Sequence, residues 1–411
     1  MVYHSVTFVE LNRQPFMNIK ILHLLSNWKW TECSEPSVDL ALAQSLLGAD
    51  VLFACGQISS DQTSSDQTSN KQRSDVKHYA VKKGLKNIIS LNLPKHFSLF
   101  SLRRDLKKLR ELIDEFKPDI IHCHMANAHI LAGIARGKES FPYILRSCYD
   151  FHVPENSFRT KFLYKQRTDG FIIIDETVRD DFVEYSGISP DNILVAEPGI
   201  DLNRFSPRKE LHKARKEFGL KNEHFVIGVV SRIRQSRRID IPLGAVRLLA
   251  EKFPKLRFFL VGRGRDGALQ EVVLQPAQEM GILNKVVLPG YCRGERLAAA
   301  YHAMDVLVYP VPGTDKTCRT VREAMASGLP VIAPETGFLP KLIDDRITGR
   351  LMKPTAESLA DILSELIADP AELKQMADMA YKTAQHRFST ALQAEKVLSF
   401  YNKIIKNKAL L

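Results

Sequence analysis

The sequence predicts two successive α/β domains, each a parallel sheet covered by helices. Three observations lead there. The chain has 411 residues, more than one hydrophobic core usually organises. From Lys20 onward, short β-branched runs alternate with longer stretches of helical period, which is the rhythm of a parallel sheet with crossover helices. Beyond Pro207–Arg208 that rhythm starts again.

The first-half strand candidates are 20–25, 51–55, 119–123, 143–146, 171–174 and 192–195; the second-half ones are 225–230, 257–261, 285–288, 306–309 and 330–333. After Pro354 the spacing is helical over 357–367 and 371–386. A final amphipathic helix over 391–405 carries Leu392, Val397, Leu398, Tyr401 and Ile404/Ile405 on one face. Residues 1–16 carry neither period and read as a leader or upstream extension. Met17-Asn18-Ile19-Lys20-Ile21-Leu22 reads as the start of the first strand, so Met17 is an alternative start. The division is therefore an N-terminal domain over 17–206, a second domain over 207–387 and a closing helix over 388–411. Within the first domain, 57–74 holds a tandem Ser-Ser-Asp-Gln-Thr repeat without a large apolar residue. It cannot offset the entropy of its own ordering and is expected to be a flexible loop.

Hydrophobic residues make up 45% and charged residues 26%, as in ordinary folded domains. No apolar run approaches the roughly 18–20 residues of a membrane span, and no secretory signal is recognisable. Cys33, Cys55, Cys123, Cys148, Cys292 and Cys318 form no CxxC pair, which suits free thiols in a reducing cytoplasm. The net charge of +11 leaves three partners to weigh: nucleic acid, an anionic membrane surface, or a phosphorylated ligand.

In an open parallel sheet, ligands bind beyond the carboxyl ends of the strands. Three second-half loops there are unusual. After 225–230, Arg232, Arg234, Arg237 and Arg238 fall within seven residues. Guanidinium groups grip phosphate oxygens in bidentate fashion, so the loop is either a diphosphate clamp or a solvated basic loop. After 257–261, Gly262-Arg263-Gly264-Arg265-Asp266-Gly267 fits G-x-G-x-x-G. It follows the domain's second strand, and no acidic residue ends the next strand, so a tight turn beside a ligand suits it better than NAD. After 306–309, a loop from Pro310 to Thr320 leads into a helix carrying Glu323 and stopped by Gly328 and Pro330. A helix amino end favours an anion. A carboxylate one turn further in accepts hydrogen bonds from sugar hydroxyls. The ligand implied has phosphate and sugar together; the alternative is an ordinary sheet-covering helix with a solvated glutamate.

Glu323-Ala324-Met325-Ala326-Ser327-Gly328-Leu329-Pro330 followed by Val331-Ile332-Ala333 resembles the retaining glycosyltransferases of GT-B fold, group 1, family 4. So do Asp119 to His124, Pro198-Gly199-Ile200-Asp201 with Arg204-Phe205 and Pro207, the Arg232 to Arg237 loop, the Leu260 to Gly264 turn, and Thr348 to Leu351. The resemblance covers most of the chain from Met17. It implies two Rossmann-like domains facing a cleft, with the C-terminal helix returning to the first. It implies that Asp315, eight positions before Glu323, contacts the donor sugar near the reacting centre, and that Glu323 holds the nucleotide ribose. Arg232 and Arg237 would hold the diphosphate, with Gly262, Gly264, Lys316, Cys318, Arg319 and Thr320 lining the nucleotide sugar. Asp315 stands where glutamate is usual, Lys316 where glycine is common and Arg237 where lysine is usual. The histidine that often follows the strand ending at Arg146 is absent from Ser147-Cys148-Tyr149-Asp150.

The reaction implied moves a sugar, with retention, from a nucleoside diphosphate to a hydroxyl of a glycan or lipid-linked acceptor in cell-surface polysaccharide or lipopolysaccharide synthesis. Arginines and helix amides would stabilise the leaving group. UDP is the donor nucleotide expected from family usage, with no cofactor and no metal. A degenerate relative that binds nucleotide or glycan without turnover is the alternative. His122, His124, Tyr149 and Asp150 are candidates for the acceptor side. His122, Cys123, His124 and His129 invite a zinc reading. Strand alternation puts only His122 and His124 on one face, and His129 falls on the next helix. Lining of the cleft and buried structural histidines both stay open. Over 94–116, Arg103, Arg104, Lys107, Lys108 and Arg110 surround a stripe of Leu102, Leu106, Leu109, Leu112/Ile113 and Phe116. A basic amphipathic helix of this kind fits an anionic leaflet at the cytoplasmic face, or an ordinary sheet-covering helix. No motif supports nucleic acid as a partner.

Overall fold

The computed structural model describes residues 19–31, 33–57, 75–93, 99–149, 158–207, 211–312 and 318–409. Residues 1–16, most of the polar repeat, Asp150, Asp315 and Lys316 lie outside the described residues. The chain divides into two compact units: Met1–Ala196 with Gln393–Leu411, and Glu197–Leu392.

The first unit is a seven-stranded sheet: β1 Lys20–Leu25, β2 Asp50–Gly56, β3 Ile88–Leu91, β4 Ile120–Cys123, β5 Tyr143–Cys148, β6 Gly170–Ile173 and β7 Ile193–Val195. Its order is β3-β2-β1-β4-β5-β6-β7, and every pair is parallel. Helices α1 Ser34–Leu46, α2 Val76–Lys82, α3 Leu99–Phe116, α4 Ala126–Arg136, α5 Phe158–Arg167 and α6 Arg179–Ser186 join the strands. The central strands are buried on both faces, which is why they read as largely apolar runs, broken in β1 and β4 by His23 and His122. The strand pattern missed β3, a four-residue edge strand whose Ile88 and Ile89 are half-buried. On α3, Leu106, Leu109, Leu112, Ile113 and Phe116 pack toward the sheet while Arg103, Arg104, Lys107, Lys108 and Arg110 are exposed. Buried Asp105 on the same helix accepts the backbone N–H groups of Asn92 and Leu93, each at 3.0 Å, and fixes α3 to the chain leaving β3.

The second unit is a six-stranded parallel sheet: β8 Phe225–Val230, β9 Leu256–Val261, β10 Val286–Gly290, β11 Val306–Val308, β12 Val331–Pro334 and β13 Gly349–Met352, in the order β10-β9-β8-β11-β12-β13. Its helices are α7 Leu211–Glu217, α8 Asp240–Leu249, α9 Gln275–Glu279, α10 Gly294–His302, α11 Arg319–Ala326, α12 Leu339–Leu342, α13 Ala356–Ala368 and α14 Pro370–Arg387. Asp305 pins β8 to the turn before β11. Its Oδ2 accepts the Val226 N–H at 2.7 Å and the Arg215 guanidinium at 2.5 Å.

The last helix, α15 Thr390–Ala409, belongs to the first unit from Gln393 onward. Val397, Leu398, Tyr401 and Ile404 share one buried cluster with Ile21, Val51 and Phe53, and Lys403 pairs with Asp191 at 3.0 Å. The apolar face read over 391–405 is thus part of the first core. No helix among the described residues is long and apolar enough to cross a membrane.

Candidate functional site

In each sheet the strand order reverses at one place: between β1 and β4, and between β8 and β11. Loops leaving such neighbours on opposite sides of the sheet open a crevice, the usual ligand position in open α/β sheets. Both places hold the residues singled out in the sequence.

In the second unit, the loop leaving β8 carries Arg232 to Arg238, and the loop leaving β11 leads into α11. The first is locked by backbone bonds to its neighbour: Ser231 N–H to Val261 O and Ile233 N–H to Arg263 O, both 3.0 Å. The next loop is tied in turn by Gly262 N–H to Gly290 O at 3.0 Å. The glycines make this approach possible. A Cβ at Gly262 would lie 1.8 Å from Ser231 O, and one at Gly264 would lie 3.0 Å from Ile233 O. The Gly262 to Gly267 run therefore brings two strand-end loops together. Gly262→Ala is expected to lower stability by about 2–3 kcal/mol, since backbone rather than a mobile side chain must give way. Denaturant unfolding measures this, and an unchanged midpoint would show that the close approach is dispensable.

Arg232 and Arg234 are exposed and Arg237 is half-buried, whereas Arg238 is diverted to Asp240, with Nη2 to Oδ2 at 3.0 Å. Cys318 is buried at the N-cap of α11 in the left-handed region (φ 41°). One turn in, Glu323 is only 4% exposed, so the alternative of a solvated glutamate does not hold. Its Oε1 accepts from Arg319 Nε at 2.7 Å, and its Oε2 accepts from the Tyr301 hydroxyl at 2.8 Å. Tyr301 lies on α10, 22 residues upstream of Glu323, and no local pattern announced it. Nor was Arg322 anticipated. It is fully buried, 3.6 Å from Glu197, which also pairs with Arg387 at 3.2 Å. Burial holds the Arg322 pKa below its ordinary value.

In the first unit, His122 and His124 occupy one face of β4, and the β1–β4 register sets His23 opposite His122. Cys123 points the other way, into the cluster with Leu22, Leu24 and Ile144, and His129 bonds to Thr168 at 2.8 Å. Sequence reading missed His23, because the partner strand lies about 100 residues away. His23, His122 and His124 have nitrogens within 4.8 Å of one another and form a group that could hold a metal ion. In the structure these nitrogens are used in hydrogen bonds. His23 Nε2 donates to Gln44 Oε1 at 2.8 Å, so His23 Nδ1 accepts from His124 Nε2 at 2.9 Å, and His124 Nδ1 accepts from the Tyr149 hydroxyl at 3.0 Å. His122 is bracketed by Ser147 Oγ at 2.8 Å and the Tyr401 hydroxyl at 2.6 Å. Burial pushes His23 down to about 4; it also holds His122 and His124 well below the usual range, and the neighbouring imidazoles add to that. His122, His124 and Tyr149 thus form a buried polar chain at the switch point of the first sheet.

Two Rossmann-like sheets, with the end of the chain returning to the first, constitute the GT-B architecture. Residues 211–384 match the glycosyl transferases group 1 family, and residues 39–204 match glycosyltransferase family 4. The chain belongs to the group 1, family 4 glycosyltransferases. It is similar to the D-inositol 3-phosphate glycosyltransferase of Mycobacteroides abscessus, 33% identical over 245 residues, which is 58% of this chain and 52% of that protein. It is similar also to that of Corynebacterium aurimucosum, 30% identical over 240 residues, 56% of each. The matched stretch thus spans about half the length of these relatives. Two solved structures share the fold. One is a glycosyltransferase from Rickettsia africae, with TM-score 0.76, 18% identity, and coverage of 95% of this chain and 100% of that one. The other is Anabaena HepE in complex with UDP, with TM-score 0.73, 20% identity, and coverage of 94% and 100%.

Proposed function

We propose that the protein transfers a sugar, with retention, from a nucleoside diphosphate sugar to a hydroxyl of a glycan or lipid-linked acceptor in cell-surface polysaccharide or lipopolysaccharide synthesis. One observation carries the reading. At the reversal of the second sheet, a loop with exposed arginines and a helix amino end with an ordered carboxylate leave neighbouring strands, β8 and β11. Arg232 and Arg237 supply charge for a diphosphate, and Glu323 supplies acceptors for ribose hydroxyls. Asp315, in the sequence between β11 and α11, would contact the donor sugar. Lys316 and Thr320 would line it. UDP is the proposed nucleotide; HepE, a fold relative, is described with UDP and with UDP-glucose.

During transfer, negative charge grows on the departing diphosphate. Fixed guanidinium and amide groups stabilise that charge without reorganising, which is the largest contribution such a site can make. The polar chain ending at Tyr149 is the proposed acceptor side, with Asp150 beyond it. The exposed basic face of α3 is the proposed contact with an anionic membrane surface, placing the protein peripherally at the cytoplasmic face.

The test is binding and turnover across nucleotide sugars with UDP, GDP and ADP, with lipid-linked glycans and D-inositol 3-phosphate as acceptors. Arg232→Ala and Arg237→Ala are each expected to raise KM and lower kcat, together reducing kcat/KM by about 100-fold, from the loss of charge-assisted phosphate bonds. A wild-type protein that binds none of the donors sinks the reading. Binding without turnover of any acceptor would instead favour a nucleotide-binding protein without catalysis.

A further inference from the structure

We infer that Tyr301 and Arg319 are positioning residues that fix the Glu323 carboxylate for a vicinal diol, and this rests on the nucleotide-binding reading above. The geometry is specific. Among the described residues each carboxylate oxygen has one protein donor: Arg319 Nε on Oε1 at 2.7 Å and the Tyr301 hydroxyl on Oε2 at 2.8 Å. A carboxylate oxygen accepts two hydrogen bonds, so each retains one acceptor position. Two acceptor positions on one rigid carboxylate match two adjacent hydroxyl donors, as on a ribose, better than a single hydroxyl.

The supporting groups are arranged to hold this state. Tyr301 is fully buried, and its ring packs edge-on against Phe205 with centroids 5.7 Å apart. Burial and the neighbouring Glu323 charge push its pKa well above the usual value, so the phenol stays an O–H donor at physiological pH. Arg319 sits in the first turn of α11, where the helix dipole disfavours a cation. Its pairing with Glu323 four residues on offsets this, with side-chain exposures of 13% and 6%. An ion pair at that end of a helix is poorly placed for helix stability. It is well placed to hold a carboxylate in one orientation one turn into α11.

The inference separates from a purely structural role through the ligand's own hydroxyls. Titration calorimetry would compare the tightest-binding of UDP, GDP and ADP with its 2′,3′-dideoxy counterpart, for wild type, Tyr301→Phe, Arg319→Met and Glu323→Gln. The wild type is expected to prefer the ribonucleotide. Tyr301→Phe should weaken ribonucleotide binding by about tenfold, the usual scale for a hydrogen bond to a charged group, and leave dideoxynucleotide binding within about twofold. Arg319→Met should also reduce the preference for the ribonucleotide, and Glu323→Gln should remove most of it. Equal weakening of both ligands by Tyr301→Phe would show a structural role only and overturn the inference while nucleotide binding stands. A wild type indifferent to the hydroxyls would overturn it too. A wild type that binds no nucleotide would overturn the functional reading and this inference together.

Discussion

Glu323→Ala is expected to lower kcat/KM for sugar transfer by about 100- to 1,000-fold, the loss of two hydrogen bonds to a charged group at roughly 1.5–2 kcal/mol each. The effect should exceed that of either arginine alone, because in the proposed role a rigid carboxylate would hold the nucleotide in one register against the reacting centre, and a displacement of about 1 Å can cost on the order of 100-fold. Removing the carboxylate also leaves the Tyr301 hydroxyl and the Arg319 guanidinium buried beside an empty acceptor position. Glu323→Gln therefore belongs beside Glu323→Ala. It keeps the volume and an oxygen for one donor, so it should fold with a smaller stability loss while turnover still falls. Steady-state kinetics with circular dichroism separates the two effects. Wild-type kcat/KM in a well-folded Glu323→Gln protein would remove Glu323 from the site.

The second large effect is acid lability of the first unit. His23, His122, His124 and His129 are all held below the ordinary histidine value, His23 at about 4, with burial the leading cause. At pH above about 6.5 both folded and unfolded chains carry these rings neutral, and the stability is fully present. Below that, the unfolded chain takes up protons that the native state excludes. Each histidine then removes about 1.4 kcal/mol per pH unit until its folded pKa is reached. With whole-domain stabilities of roughly 5–15 kcal/mol, such a loss should remove a substantial share of the unit's stability as pH falls below about 6.5. Urea unfolding at pH 7.5, 6.5 and 5.5, followed by a probe in the first unit, checks this. His129→Gln should keep a partner for Thr168 and flatten the decline by about one histidine's share. A stability that is flat between pH 6.5 and 5.5 would mean that the native state admits these protons.

Much of the fold was readable because the central strands are buried on both faces. Phe225–Val230 is apolar throughout, and Lys20–Leu25 and Leu256–Val261 are interrupted only by Lys20 and His23 and by Arg257. The edges were harder. β3 is four residues long and half-buried, so its composition is hardly distinct from a loop; β13 was visible only as the motif Thr348 to Leu351. The α11 helix was legible from its stop at Gly328 and Pro330. The role of Gly262 was half legible: a glycine-rich turn could be read, but that it admits the Ser231 carbonyl could not.

By itself the sequence determined the two α/β units, the loops proposed to carry the chemistry, and the family. Each of these is written in local period, in turn residues or in contiguous motifs. Only the tertiary structure decided who meets whom at the two switch points. Register set His23 beside His122, and packing of α15 brought Tyr401 to the same imidazole across 279 residues. The juxtaposition of α10 and α11 placed Tyr301 on Glu323. The physical reason is the same each time. Burial of polar groups demands partners, and strand order and helix packing, not spacing along the chain, supply them.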